Sequence, residues 1–239
     1  MKKLDVLVTG TGRCGTVFMA KFLTSLGIKC GHESVFNLDG IDAAVSRLNG
    51  TLEINSSYTS GRKMNEDDSW EDSETNCVVD FTQIQADSSY MAAPYLNHEI
   101  LKETKIIHIV RNPMDVVTSF VKGMNYFNDY PPENNFYYEK NIYNNFPEIR
   151  DVSKQLDRAC LYYVLWNELI EKSSSFFHRI EDSKEEILNY LQINSDNIFS
   201  NTKENTFMKP NIQKFNFNDI SHYFIKEKLK RISERYGYI

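Results

Sequence analysis

An apolar run at residues 4–8 leads directly into Thr9-Gly10-Thr11-Gly12-Arg13-Cys14-Gly15, and apolar residues then recur at Met19, Phe22, Leu23 and Leu26. That spacing is i, i+3, i+4, i+7, one face of an amphipathic helix. Gly27 suits its C-terminal cap. The chain therefore opens as strand, glycine-rich turn and helix. The same alternation continues. Lys29-Cys30 starts a short strand leading to Gly31-His32-Glu33, residues 77–81 (CVVDF) read as a strand, and residues 88–102 read as a helix kinked at Pro94. Residues 105–110 (KIIHIV) are a near-continuous apolar run of the kind found in buried parallel strands. Asn112 and Pro113 then supply an N-cap and a first helical residue for a helix to about 121. A long helix is expected over 152–172, a strand over 176–180, a helix to about 191, and a last helix over 218–235. Strands alternating with helices predict an α/β fold with a parallel sheet and right-handed crossovers.

The 239 residues are expected to form one domain with two decorations. One is a polar loop insert at about 49–76. The other is a segment at 123–147 holding Tyr126, Phe127, Tyr130, Phe136, Tyr137, Tyr138, Tyr143 and Phe146. A net charge of −6 argues against general nucleic-acid binding, which needs a basic face. No apolar stretch approaches the roughly 20 residues that span a bilayer. The N-terminal run carries Asp5 and stops at Gly10, so no secretory signal is expected. The four cysteines are widely separated, as in reduced, cytoplasmic proteins. Neither cysteines nor histidines stand at metal-ligand spacing, so no metal is expected.

The glycine turn offers backbone N–H groups at a helix start, a ready site for an anion. A nucleotide-triphosphatase loop needs G-x-x-x-x-G-K-[ST]. Gly10 and Gly15 have the spacing, but Thr16 stands where the lysine belongs and Val17 where the Mg²⁺-binding hydroxyl belongs. That argues against ATP hydrolysis and ordinary kinase chemistry. A dinucleotide fingerprint G-x-G-x-x-G also nearly fits, with Glu33 as its distant acidic residue, and stays a weaker rival. The cation sits inside the turn, at Arg13. A second element follows the strand at 105–110: Arg111-Asn112-Pro113, with Ser119 two helical turns on. A guanidinium at a strand end can grip a phosphate with its planar fork, and Ser119 can face the same group.

Arg13-Cys14-Gly15-Thr16-Val17 resembles the 5′-phosphosulfate loop of sulfotransferases that use 3′-phosphoadenosine 5′-phosphosulfate (PAPS). Arg111 to Ser119 resembles that family's 3′-phosphate motif, R-x-P-x-x-x-x-x-S. The two stand in the family's order, about 100 residues apart. Cys30-Gly31-His32-Glu33-Ser34 is similar to the C-G-E-E-T segment of tyrosylprotein sulfotransferases. Asp87-Ser88-Ser89-Tyr90, Pro94-Tyr95, Arg179-Ile180-Glu181-Asp182 and Tyr236-Gly237-Tyr238 also look like family segments. Cys14 and Val17 depart from the commonest residues and remove hydroxyl contacts to phosphate, and no family RKG stands in the late loop.

The resemblance implies a three-layer sandwich with a central parallel sheet, of the P-loop nucleotide-triphosphatase-like kind. It implies sulfuryl transfer from PAPS to a hydroxyl or amine, releasing adenosine 3′,5′-bisphosphate (PAP), without metal. Thr11, Gly12, Arg13, Cys14, Gly15, Thr16 and Val17 would hold the phosphosulfate, Arg111 and Ser119 the 3′-phosphate, and Lys203, with Lys209 nearby, the late basic loop. Arg13 would also relieve charge on the leaving phosphate, an effect worth about 3–4 kcal/mol by analogy with oxyanion donors. Glu33 is the expected base, its pKa raised by burial beside a sulfate, with His32 as runner-up and Asp80 third. Tyr126, Tyr130, Tyr137 and Asp80 are expected at the acceptor site, for a small-molecule or glycan acceptor. The alternatives are a P-loop nucleoside or nucleotide kinase, and an inactive adenosine-bisphosphate-binding protein.

Overall fold

A computed structural model of the chain describes residues 2–51, 63, 64, 70, 71, 81, 83–129, 133–194 and 212–239. Its centre is a five-stranded parallel sheet. β1 (Val6–Thr9) occupies the middle, flanked by β5 (Ala86–Ser88) and β6 (Lys105–Val110), with β2 (Cys30–His32) and β7 (Phe177–Arg179) at the edges, giving the order β2-β5-β1-β6-β7. Two further strands among the described residues, β3 (Lys63–Met64) and β4 (Trp70–Glu71), pair antiparallel with each other. They lie within the expected insert.

Side chains alternate across the central strands and so build two cores. Val6 and Val8 of β1, with Ile107 and Ile109 of β6, pack against α1 (Thr16–Ser25) through Met19, Phe22 and Leu23, and against α6 (Glu185–Leu191) through Ile187 and Leu188. Leu7 and Val110 face the opposite layer, whose backbone is α5 (Gln155–Glu171). This helix buries Tyr162, Tyr163, Trp166 and Ile170 completely. α7 (Tyr223–Arg235) packs on α5 through Ile225, Leu229 and Ile232, and Ser221 just before it donates twice to Asp157 (3.0 Å from N, 2.5 Å from Oγ). Helices thus cover both faces, which makes the three-layer α/β sandwich.

Several boundaries differ from the sequence reading. The expected helix over 88–102 begins with the last residue of β5 and continues as two short 3-10 helices, Tyr90–Tyr95 and Glu99–Leu101. Tertiary hydrogen bonds explain the change. The Ser88 hydroxyl donates to Thr16 O (2.7 Å), the Ser89 hydroxyl donates to Phe36 O (2.6 Å), and Ser89 accepts from Met91 N (3.1 Å). Pro94 then forbids a regular α-helical ladder. The expected strand at 77–81 lies outside the described residues except for Phe81, which sits in a turn. α2 (Gly40–Leu48) was not anticipated. It buries Ala44 and Leu48 and carries Arg47, which is 1% exposed. α3 (Pro113–Thr118) starts as expected, with Asn112 Oδ1 accepting from Met114 N (3.0 Å), but it passes into a π-turn at Ser119–Gly123. α4 (Glu133–Asn145) forms inside the aromatic segment, a helix the sequence reading did not assign. Among the described residues no helix is long and apolar enough to cross a membrane.

His108 stands on β6 facing α5, 1% exposed. Its Nε2 lies 2.8 Å from Asn167 Oδ1, which as an acceptor makes Nε2 the protonated nitrogen of a neutral ring. Burial pushes its pKa down to about 4. In the unfolded chain the ring titrates near its ordinary value of 6.5. Between those values the unfolded chain binds more protons, so this stabilisation is present above pH 6.5 and is lost on acidification toward 4. The slope is at most about 1.4 kcal/mol per pH unit. Denaturant unfolding across that pH window should give a shallower slope for His108→Gln than for the native protein.

Candidate functional site

Parallel pairing of β1 with β6 sets Thr9 opposite His108 and brings the carboxyl ends of both strands together. The loop after β1 must turn there in little space. A Cβ at Gly10 would lie 2.3 Å from Ile109 O, so only glycine fits. Gly15 has φ of +110° and begins α1, and a Cβ there would meet Ile180 Cγ1 at 2.8 Å. No side chain caps α1, and no acidic residue occupies its first turn. Its leading N–H groups and positive dipole end therefore remain available to an anion.

Arg13 is in the left-handed region with φ of +67°, a conformation that costs a non-glycine residue energy. Its Nε donates to Ser119 Oγ at 3.0 Å. Arg111 Nη1 donates to Arg13 O at 3.3 Å. Residues 13, 111 and 119 thus meet, although about 100 residues of chain separate the first from the others. Burial, and secondly the Arg111 charge, push the Arg13 pKa below its usual value. Ser119 opens the π-turn, the kind of helix irregularity often found where a side chain is re-aimed for function.

α5 ties both segments down. The Tyr162 hydroxyl accepts from Gly12 N (3.1 Å), and the Tyr163 hydroxyl donates to Arg111 O (2.8 Å). Neither tyrosine was singled out from sequence; both lie inside the long helix expected over 152–172. The Cys14 side chain turns inward. Its thiol is fully buried in the core under α1, burial pushes its pKa up to about 12, and its N–H turns back onto Thr11 O (3.4 Å). The thiol is a packing group, in keeping with the hydroxyl contact that its place in the loop was expected to lack. Among the described residues the buried Thr11 hydroxyl meets no hydrogen-bond partner of good geometry, and the Cys14 thiol lies beside it.

β2 delivers His32 and Glu33 to the same edge. His32 Nε2 lies 3.1 Å from Thr16 Oγ1 and 3.8 Å from Glu33 Oε1. Glu33 also has left-handed φ, +53°, and its N–H donates to Ser88 O (3.2 Å). The next three N–H groups, of Ser34, Val35 and Phe36, all donate to the Asp87 carboxylate, at 3.1, 3.1 and 2.9 Å. Burial outweighs these three bonds and lifts the Asp87 pKa to about 6. The Glu33 charge is felt by the buried phenols of Tyr90, Tyr126 and Tyr162, and that of Arg13 by Tyr126 as well.

The aromatic segment is more core than cap. Phe127 is fully buried, and its N–H donates to Glu139 Oε1 (2.9 Å). Tyr126 is 8% exposed and meets Phe120 edge-on, ring centroids 5.4 Å apart. Tyr137 is 53% exposed on α4 and so forms no enclosed wall. Tyr130, Asp80, Lys203 and Lys209 lie outside the described residues. A cavity of about 290 Å³, lined by Glu139, Tyr143, Arg150 and Arg158 among others, holds none of the expected site residues.

Tyr162→Phe would leave the buried Gly12 N–H without its acceptor, a cost of about 1–3 kcal/mol. Denaturant unfolding should register that loss, and binding of a phosphate-bearing nucleotide to the loop should weaken with it.

A sequence model described as "Sulfotransferase domain" matches residues 3–235. No curated protein sequence matches the chain significantly. Among solved structures it is similar to a sulfotransferase from Alicyclobacillus acidocaldarius. That comparison gives 12% identity and a TM-score of 0.48, covering 98% of this chain and 96% of the other.

Proposed function

The chain belongs to the sulfotransferase domain family, and on that premise we propose that it moves the sulfuryl group of PAPS onto a hydroxyl or amine of a small-molecule or glycan acceptor, releasing PAP. The observation that carries this reading is the meeting of Arg13, Arg111 and Ser119 beside the uncapped start of α1. Two guanidinium groups held this close repel each other, and a ligand with two separated phosphates offsets that repulsion.

In this reading Arg111 and Ser119 hold the 3′-phosphate. Arg13 and the leading N–H groups of α1, from Thr16 and Val17 onward, hold the 5′-phosphosulfate. The acceptor oxygen or nitrogen attacks sulfur in line. As the new bond forms, the bond from sulfur to the 5′-phosphate oxygen breaks, and its electron pair stays on PAP. Arg13 meets the charge that develops on that oxygen. Glu33 takes the acceptor proton, with His32 beside it and linked to Thr16 of the loop. Tyr126, packed edge-on against Phe120, is assigned to the acceptor side of the site in this reading. No step requires a metal, and we place the reaction in the cytoplasm.

Saturating PAP should raise the melting temperature, while ATP with Mg²⁺ or NAD should not. Turnover can be followed as PAP release from PAPS, with glucosamine, 2-naphthol or water as probe acceptors. Glu33→Gln should lower kcat by about 10²–10⁴-fold and leave PAP affinity unchanged. Full turnover by this variant would remove Glu33 as the base, and the absence of any thermal shift with PAP would sink the PAPS reading.

A further inference from the structure

We propose that Asp87 is the positioning residue for Glu33, holding the turn after β2 so that the Glu33 carboxylate stays beside His32. The inference rests on the reading of Glu33 as the base.

Three consecutive main-chain N–H groups, of Ser34, Val35 and Phe36, converge on one carboxylate that is 0% exposed. Such a run of N–H groups forms an anion-binding concavity. Here the concavity is filled from within, by a side chain of β5. The carbonyl side of the same turn is also clamped. Arg47, buried on α2, donates from Nη1 to Val35 O (3.0 Å) and to Asn37 Oδ1 (3.1 Å), and pairs with Asp39 through Nη2. Ser89 Oγ donates to Phe36 O (2.6 Å). Glu33 N donates to Ser88 O (3.2 Å). Residues 33–36 are therefore fixed from both sides by groups on β5, the residue after it, and α2.

That fixation has a local effect. Glu33 sits at φ +53°, a backbone state that a glutamate rarely adopts and that a loose turn would abandon. Relaxation to the right-handed or extended region would swing the side chain away from His32, whose Nε2 now lies 3.8 Å from Glu33 Oε1. Val35 and Phe36 are buried, so water cannot satisfy their N–H groups, and the Asp87 carboxylate takes that role and fixes the turn in one geometry. Burying an ionised group is costly, and the three N–H donors offset that cost only while the turn keeps this geometry. Asp87 itself touches neither reacting group. Its action runs through the backbone to Glu33.

A double-mutant cycle tests this, read as PAP release from PAPS with the probe acceptors named above, together with PAP affinity. Asp87→Asn is expected to lower kcat by about 10–100-fold while the KM for PAPS and the affinity for PAP change by less than about two-fold. In the Glu33→Gln background the same substitution is expected to cost less than about two-fold, because the group it positions is already gone. If Asp87→Asn does not fold, Ser89→Ala removes one hydroxyl from the same clamp, and a smaller kcat loss of about 3–10-fold, again absent in the Glu33→Gln background, is expected. Equal losses in both backgrounds, or a loss confined to PAP affinity, would overturn the positioning role while the base reading stands. An unimpaired Glu33→Gln would overturn both.

Discussion

The parallel pairing of β1 with β6 is the constraint on which the site depends. Its register sets Thr9 against His108, so the loop that leaves β1 and the strap that leaves β6 emerge at one edge of the sheet. The chain then has no room for a side chain at Gly10, because the Ile109 carbonyl occupies that space. Arg13 and Arg111 become neighbours as a result of strand pairing, not of any affinity for each other, and burial beside Arg111 lowers the Arg13 pKa. In open α/β sheets ligands gather outside the carboxyl ends of strands where the connections change direction. β1 and β6 are such a pair. The connection from β1 runs out to β2, and that from β6 runs the other way, to β7.

What could be read from sequence was local. Strand, glycine turn and helix follow one another within residues 4–26, so spacing alone reports them. The same holds for Arg111, Asn112 and Pro113 at the end of a six-residue apolar strand. What could not be read depends on distant partners. β5 is Ala86-Asp87-Ser88, three residues with no apolar run, yet it is fully buried between β1 and β2. Its polar side chains are tolerated because each is consumed, Asp87 by three N–H groups and Ser88 by Thr16 O. The helix expected at 88–102 failed for the same reason. α2 is short and anchored by the buried Arg47, whose bonds to Val35 and Asn37 no periodicity announces. The roles expected of Asp80, Tyr130 and Lys203 fall outside the described residues.

Aromatic residues make up 13% of the chain, and that figure fits an acceptor cap as well as a core. The rings whose packing is described build the core. Phe120, Tyr126, Phe127, Tyr162 and Trp166 form a contiguous cluster, largely edge-on or tilted, with centroids 5.2–6.3 Å apart. Such contacts add to burial because ring edges and faces carry opposite partial charge. The cluster is also the floor beneath the loop, since Gly12 leans on Phe120 and bonds to Tyr162. Packing and site are one construction here, and composition cannot separate them.

Tyr162 and Tyr163 are consecutive residues of one helix, yet one hydroxyl holds the backbone of the first loop and the other holds the backbone at the second. The two anchor points cannot drift independently, because the rise and twist of α5 fix the distance between the groups that hold them. The helix works as a ruler. It sets one length between the loop that leaves β1 and the segment that leaves β6.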